Sequence, residues 1–153
     1  MAAQEQDEPL RSLVDRARFS NWTTDKLRLA DVDHQGHVNN AVHPALFTNG
    51  RYEFMQRHLR PHMAKGDLFA MVKNTIEYLG EMHYPGEVEI GTLIHRVGRT
   101  SITFRQAMFN DGQCIAVSEA VMVLLDAATR RAKPWPAEVA TLLARFPEAP
   151  VPG

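Results

Sequence analysis

The feature that most constrains the fold is a change in the spacing of apolar residues partway along the chain. Across residues 41–59, apolar side chains recur at three- and four-residue intervals, which predicts one long α-helix. From residue 68 onward apolar and polar residues alternate, as in strands with one buried face. Gly50 inside the helix costs about 1 kcal/mol relative to Ala, so we expect the helix backbone to approach a sheet closely there.

Four segments carry the strand pattern, and short turns join the last three of them. The segments are residues 68–79, 88–97, 100–110 and 113–126. Asp111-Gly112 readily takes the positive φ values of a tight hairpin, and such short connections force antiparallel neighbours. A fifth strand is predicted within residues 22–29. Together with the helix, these segments predict an α+β fold.

Short amphipathic segments flank this pattern at both ends. We expect two short helices, one near each terminus, with apolar residues at helical spacing. These residues are Leu10, Leu13, Val14 and Ala17 in the first helix, and Val139, Leu142, Leu143 and Phe146 in the second. We therefore assign residues 1–20 to an N-terminal extension and residues 21–153 to a single domain.

Length and charge limit the number of domains and the classes of partner. The chain has 153 residues, enough for one ordinary core and too few for two domains. Its 17 Lys and Arg against 18 Asp and Glu exclude the positive field of a general nucleic-acid binder. The longest dense apolar run, residues 121–125, is far below the roughly 20 residues of a membrane helix. With an acidic start and a single cysteine, the sequence predicts a cytoplasmic protein without nucleic-acid or membrane partners.

Polar residues crowd just before the long helix. Residues 31–40 read DVDHQGHVNN and contain two carboxylates, two imidazoles and three carboxamides. Asn39 and Asn40 suit a helix N-cap, and the free N–H groups that follow a cap are a site for a developing oxyanion. A carboxylate beside such donors has the parts that acyl transfer needs. The same residues also suit a purely structural turn and cap.

This string resembles the active-site motif of hotdog-fold acyl-CoA thioesterases of the 4-hydroxybenzoyl-CoA thioesterase superfamily. Segments 76–79, 86–88, 97–101 and 112–116 are similar to that family's strands and turns, and the resemblance covers about residues 21–139. It implies a hotdog fold, in which an antiparallel sheet of about five strands wraps one long helix. It also implies an acyl-CoA substrate, no cofactor, and a homo-oligomer, either dimer or tetramer.

The resemblance also implies roles for individual residues. Asp33 takes the place of the catalytic carboxylate, acting as nucleophile or as general base toward water. The main-chain N–H near Asn40 takes the place of the group that polarises the thioester carbonyl. His37 and Asn39 match polar partners of the motif, and either orient the reacting groups or only shape the turn. Asp31 is interpreted as a turn residue.

Two positions depart from the family pattern, and they leave the acyl group open. His43 stands where a tyrosine commonly follows the two asparagines, and Pro85-Gly86 stands where Gly-Asp is usual. The large apolar side chains nearby are interpreted as ordinary core. They are Phe47, Phe54, Met55 and Tyr78.

Coenzyme A carries phosphates, so a nearly neutral protein that binds it needs a local group of cations. Arg96 and Arg99 flank the Val97-Gly98 turn, and Thr100 adds a hydroxyl donor. We interpret these three as substrate-binding residues, with a solvated hairpin tip as the equally simple alternative.

Other kinds of site fit the sequence less well. His34 and His37 have a spacing that zinc sites use, but no HExxH helix or cysteine pair accompanies them, so no metal site is predicted. A hotdog enoyl-thioester hydratase is an alternative, although its usual D-x-N-P-x-H arrangement is not matched by Asp33 and His37. A non-catalytic acyl-thioester-binding module is a further alternative.

Overall fold

In the part of the chain that the structure describes, five antiparallel strands form one sheet, and a long helix lies on its inner face. The computed structural model describes residues 8–146 of the chain. The strands run in the spatial order β1-β3-β4-β5-β2. Their bounds are Trp22–Lys26 for β1, Leu68–Tyr78 for β2, Glu87–Val97 for β3, Ser101–Asn110 for β4 and Gln113–Leu125 for β5. This arrangement confirms the predicted α+β fold.

The long helix α1 spans His43–His58 and follows a short 3-10 turn at Asn40–Val42. The prediction placed this helix over residues 41–59, so it is confirmed to within two residues. Because side chains directly opposite each other on antiparallel strands point to the same face, the sheet's register identifies its inner face. The buried apolar side chains between helix and sheet are Leu46, Phe47, Phe54, Ile90, Ile94, Phe104, Met108, Ala116 and Ala120.

Gly50 marks the closest approach of the helix to the sheet. A Cβ added there would lie 2.9 Å from Ile90 Cγ2 and 3.0 Å from Gln106 Nε2. Both distances are shorter than ordinary van der Waals contact. The expected close approach is therefore confirmed, and it explains why glycine occupies the middle of α1.

The first segment of the chain covers part of the sheet's outer face. Leu13 and Phe19 are buried there in one cluster with Leu93 and Phe109. The short helix predicted in this segment is observed as two 3-10 helices, Leu10–Val14 and Arg16–Arg18. The break follows from Asp15, whose carboxylate accepts a hydrogen bond from the Ala17 N–H and so begins a new turn.

The C-terminal helix α2 is confirmed and spans Ala137–Leu143. Val139 and Leu143 are buried against the far end of α1, in a cluster that includes Leu59 and Trp135. Within residues 8–146, no helix is long and apolar enough to cross a membrane. The predicted bounds of the extension and of the domain reach into residues 1–7 and 147–153, which lie outside the described part of the chain.

The strand β2 forms one edge of the sheet and is unusually open to solvent. Among residues 8–146 it pairs only with β5, and residues 71–75 in its middle are all exposed. Met71 is 43% exposed and Val72 is 60% exposed. An edge strand with free backbone groups and exposed apolar side chains is a surface on which another strand can pair.

Candidate active site

Residues 31–39 form a small hairpin that leads directly into α1. The Asp33 N–H donates to the His37 carbonyl at 3.1 Å, and the Asn39 N–H donates to the Asp31 carbonyl at 2.9 Å. These two bonds align the strands on either side of the turn. Because side chains of extended backbone alternate with a period of two residues, this alignment decides which side chains share a face.

One face of this hairpin is apolar and anchors it to the domain. Val38 is buried, pairs with Val32 across the hairpin, and donates its N–H to the Met82 carbonyl at 2.8 Å. Since side chains alternate between faces, the residues on either side of each valine lie on the opposite face. These residues are Asp31, Asp33, His37 and Asn39.

The Asp33 carboxylate is half-buried and held by one of its two oxygens. Its Oδ1 accepts a hydrogen bond from the Gln35 N–H at 2.9 Å, which is the bond of an Asx-turn. Within residues 8–146, Oδ2 has no hydrogen-bond partner. Asp33 is therefore fixed in place while one oxygen stays available for a water or a substrate.

The Asp31 carboxylate, unlike that of Asp33, takes part in a backbone turn. Its Oδ2 accepts a hydrogen bond from the Arg28 N–H at 2.8 Å and closes the 3-10 turn at Leu29–Asp31. This contact fits the interpretation of Asp31 as a turn residue.

The start of α1 leaves the Asn40 backbone N–H open beside this hairpin. The Asn39 side chain caps the turn, because its Oδ1 accepts from the Ala41 N–H at 2.9 Å. The Asn40 N–H, by contrast, has no hydrogen-bond partner in the described part of the chain. The N-terminus of a helix is its positive end, so this open N–H favours a nearby negative charge.

His37 lies at the side of the site, facing a second loop. Its Nδ1 is 3.3 Å from the Val38 carbonyl, and its Nε2 is 4.0 Å from Glu81 Oε1. His83 Nε2 is 3.8 Å from the other oxygen of the same carboxylate. Among residues 8–146, no group of three or more His, Cys, Asp or Glu side chains could hold a metal ion.

His43 and Tyr78 are two residues of the site that the sequence analysis did not identify. His43 is 1% exposed, and burial lowers the pKa of its imidazole below the ordinary value. Its Nδ1 lies 3.3 Å from the Asn39 carbonyl, and the Tyr78 hydroxyl donates to the Asn40 carbonyl at 3.2 Å. The two rings pack edge to face, with their centroids 5.1 Å apart.

The interpretation of Tyr78 as core is therefore wrong, whereas it is confirmed for the three residues on α1. Tyr78 is 43% exposed and ends β2 beside the helix start, while Phe47, Phe54 and Met55 are buried. A local signal existed for His43, which follows Asn39 by four residues and so lies one helical turn further on. No local signal exists for Tyr78, because 38 residues separate it from Asn40.

The predicted coenzyme A residues lie at the opposite end of the sheet from Asp33. β3 has 11 residues, which corresponds to about 33 Å, and it begins beside the hairpin and ends at Val97. The Arg99 carbonyl accepts from the Trp135 N–H, and the Thr100 carbonyl from the Leu124 N–H. Within one chain, Arg96, Arg99 and Thr100 are thus not brought together with Asp33.

A cavity of about 230 Å³ opens between α1 and the β2 edge of the sheet. Its apolar wall is formed by Met55, Leu68, Phe69, Met71 and Met122. Arg51 also lines it, and its Nη1 donates to Gln106 Oε1 at 2.8 Å while Nη2 donates to Thr48 Oγ1 at 3.0 Å. Burial lowers the pKa of Arg51 to about 10, which leaves it charged at neutral pH.

The family of the chain follows from a comparison of its sequence with family models. The model described as the thioesterase-like superfamily matches residues 27–143, which include the hairpin, α1 and all strands after β1. The chain belongs to the thioesterase-like superfamily. No curated protein matches its sequence.

Solved structures share the fold of this thioesterase-like protein. The PA5185 protein from Pseudomonas aeruginosa has a TM-score of 0.77 at 23% identity, over 88% of this chain and 96% of that chain. A protein described as a predicted thioesterase from Bacillus stearothermophilus has a TM-score of 0.77 at 26% identity, over 85% of this chain and 98% of that one.

A third similar structure contains a ligand. It is a thioesterase from Thermus thermophilus complexed with coenzyme A and Zn, with a TM-score of 0.73 at 26% identity, over 82% of this chain and 98% of that chain. These matches confirm the resemblance to hotdog-fold thioesterases, and they support thioester hydrolysis as the general class of reaction.

Proposed function

We propose that this thioesterase-like protein hydrolyses an acyl-CoA thioester to a free carboxylic acid and coenzyme A. One observation carries the proposal. A half-buried carboxylate with an open oxygen, Asp33 Oδ2, lies on the hairpin that ends at an open N–H donor, that of Asn40. A base or nucleophile beside an oxyanion donor is the arrangement that acyl transfer requires.

Asp33 acts on the thioester carbonyl in one of two ways. As a general base it takes a proton from water while the water oxygen attacks the carbonyl carbon. As a nucleophile it forms an acyl anhydride with the substrate, which water then hydrolyses. In both cases the carbon–sulfur bond breaks, and the thiolate of coenzyme A leaves and takes up a proton.

The Asn40 N–H binds the carbonyl oxygen as negative charge develops on it. It lies at the positive end of α1, where no further donor has to be reoriented during the reaction. Asn39 contributes by capping the turn through Ala41, and so fixes the backbone at this point. His37 borders the site from the side of Glu81 and orients the hairpin face that carries Asp33.

The acyl group occupies the cavity between α1 and the β2 edge. This cavity begins at Thr48, about two turns along the chain from the proposed oxyanion donor at Asn40, and most of its wall is apolar. An acyl chain that runs along the helix from the thioester carbonyl reaches it directly.

We also propose that two copies of the chain pair through their β2 edges. Residues 71–75 of this edge are exposed on both faces, and pairing would cover Met71 and Val72. Antiparallel pairing of β2 with a second β2 places opposite ends of the two sheets side by side. The turn at residues 98–100 of one copy then lies at the same end as Asp33 of the other, where Arg96, Arg99 and Thr100 can meet the phosphates of coenzyme A.

No cofactor has a role in this proposal, because a carboxylate, a backbone N–H and water supply the chemistry. A cytoplasmic location remains a prediction. It rests on the acidic N-terminal residues and on the single cysteine, since one unpaired thiol suits a reducing compartment. The Cys114 thiol is half-buried, and burial raises its pKa to about 11, so it stays protonated.

Release of free thiol from a panel of aliphatic and aromatic acyl-CoAs tests the proposal. We expect wild type to release thiol from at least one of them, and Asp33→Asn to release it at a rate reduced about 100-fold or more. Asp31→Asn is the matched control, since it removes a carboxylate on the same face, and it should retain turnover. Hydration of an enoyl-CoA without thiol release would favour the hydratase alternative, and acyl-CoA binding without any turnover would favour the binding module.

A further inference from the structure

We propose that His43 and Tyr78 are positioning residues that aim the Asn40 N–H at the substrate carbonyl. Neither touches the reacting atoms in this scheme. Each holds a carbonyl group whose orientation decides where a neighbouring N–H points. The inference rests on the proposed function, because the N–H it concerns is the proposed oxyanion donor.

The link between His43 and this N–H is the peptide bond itself. The Asn39 carbonyl and the Asn40 N–H belong to one planar trans peptide and point in opposite directions. The Asn39 carbonyl lies 3.3 Å from His43 Nδ1 and also accepts from the Val42 N–H at 2.9 Å. With two donors on its oxygen, the peptide plane cannot rotate without breaking a bond. The Asn40 N–H therefore keeps a fixed direction, opposite to that of the Asn39 carbonyl.

Tyr78 fixes the next peptide plane from the sheet. Its hydroxyl donates to the Asn40 carbonyl at 3.2 Å, and the N–H of that same peptide, at Ala41, donates to Asn39 Oδ1 at 2.9 Å. Both peptides that flank the Asn40 Cα are thus held at two points or more. Because Tyr78 is the last residue of β2, the helix start is also tied to the edge of the sheet.

The state of the His43 ring supports a role beyond simple packing. A carbonyl oxygen can only accept, so Nδ1 carries the proton and Nε2 has a lone pair. That Nε2 is buried, and within residues 8–146 it has no hydrogen-bond partner. Burying an unpaired acceptor costs stability, and an apolar side chain of similar size would avoid the cost. What the imidazole provides at this position is the Nδ1 donor.

A pair of substitutions at residue 43 separates positioning from packing. In His43→Leu the volume is kept and the donor is lost, whereas in His43→Asn the amide nitrogen takes nearly the place of Nδ1. We expect His43→Leu to lower kcat about 10-fold and to leave KM within twofold of wild type, because the Asn40 N–H is still present but points less directly at the carbonyl oxygen. His43→Asn should recover most of that loss. Tyr78→Phe, at a partly exposed position, should lower kcat about threefold.

The position of the Asn40 amide signal in a ¹H–¹⁵N NMR spectrum gives a readout that does not depend on turnover. We expect this signal to shift further from its wild-type position in His43→Leu than in His43→Asn, because both variants lose the imidazole ring and only His43→Leu also loses the donor. Full kcat together with an unmoved Asn40 signal in both His43→Leu and Tyr78→Phe would overturn the inference, as would an equal loss in His43→Leu and His43→Asn.

The outcomes also separate this inference from the proposed function. If wild type releases thiol and Asp33→Asn does not, while His43→Leu is fully active, the proposed function stands and the positioning role is wrong. If wild type releases no thiol from any acyl-CoA, the proposed function is wrong, and the Asn40 signal alone decides whether His43 controls the N–H. If His43→Leu fails to fold, kcat and the Asn40 amide signal are measured in Tyr78→Phe instead, and wild-type values of both would overturn the inference.

Discussion

The helix α1 carries polar residues in two places, and the two groups differ in how many of their hydrogen bonds are made. In its middle lies a buried polar cluster of Arg51, Thr92 and Gln106, bordered by the exposed Thr48. Gln106 donates to Thr92 Oγ1 and to the Phe47 carbonyl, each at 3.0 Å, and accepts from Arg51 at 2.8 Å. Both ends of the Gln106 amide are thus satisfied, and the cluster fastens the helix to the sheet.

The start of the helix shows the opposite pattern. There Asp33 Oδ2 and the Asn40 N–H have no hydrogen-bond partner within residues 8–146. Polar groups that are buried and paired stabilise a fold, whereas groups held in place with bonds left open are suited to a ligand. The comparison assigns stability to the middle of α1 and chemistry to its beginning.

The largest effect is expected at Asp33. Asp33→Asn keeps the size of the side chain but removes its charge and basicity, so substrate still binds while kcat falls about 100-fold or more. The measurement is steady-state thiol release at saturating acyl-CoA. A kcat close to that of wild type, or a comparable loss in Asp31→Asn with the fold retained, would show that the catalytic carboxylate is assigned wrongly.

The second effect concerns the buried polar cluster. Gln106→Leu leaves the Arg51 guanidinium without one acceptor, and we expect the free energy of unfolding to fall by about 2 kcal/mol. Urea denaturation measures it. Gln113→Leu changes the same residue type at an exposed position and should stay within about 0.5 kcal/mol of wild type. Equal stabilities for the two variants would mean that the cluster does not fasten the helix.

A smaller loss is expected at Gly50, which lies in the middle of α1 beside the buried polar cluster. In Gly50→Ala the added methyl lies 2.9 Å from Ile90 Cγ2, so overpacking opposes the gain in helix propensity. We expect a net loss of about 1 kcal/mol in the free energy of unfolding. A variant more stable than wild type would show that the helix can move away from the sheet at little cost.

The smallest effect is expected at the far end of the sheet. If the turn at residues 98–100 meets coenzyme A across a pair of chains, Arg99→Ala should raise KM for acyl-CoA about threefold at low salt and leave kcat unchanged. The difference in KM between Arg99→Ala and wild type should shrink as added salt screens the charge of Arg99. Arg131→Ala, at another exposed arginine, is the control. An unchanged KM at every ionic strength would leave Arg99 as part of a solvated turn.

Much of the fold could be predicted from the sequence because its signals are local. The spacing of apolar residues located α1, and alternation with tight turns located β2 to β5 within two residues of their observed bounds. β1 ends at Lys26, earlier than predicted, because the chain turns into the 3-10 turn at Leu29–Asp31. That turn depends on a carboxylate contact that alternation does not reveal.

The site was predictable only as far as the chain runs continuously through it. Asp33, Asn39 and Asn40 share one hairpin and one helix start, so their motif lies in one stretch of sequence. Tyr78 reaches the site from the end of β2, and only the sheet's topology brings it there. The distance of Arg99 from Asp33 likewise follows from the direction of β3, which no local pattern contains.

The most direct test of the contrast between the start and the middle of α1 compares Asp33→Asn with Gln106→Leu. For each variant, kcat for acyl-CoA hydrolysis and the melting temperature are measured together. We expect Asp33→Asn to lose about 100-fold in kcat and to melt within about 2 °C of wild type, and Gln106→Leu to melt about 6 °C lower and to keep its kcat within about twofold. If Asp33→Asn instead loses stability in proportion to activity, or if Gln106→Leu is folded and inactive, the start of α1 is not the catalytic end of this protein.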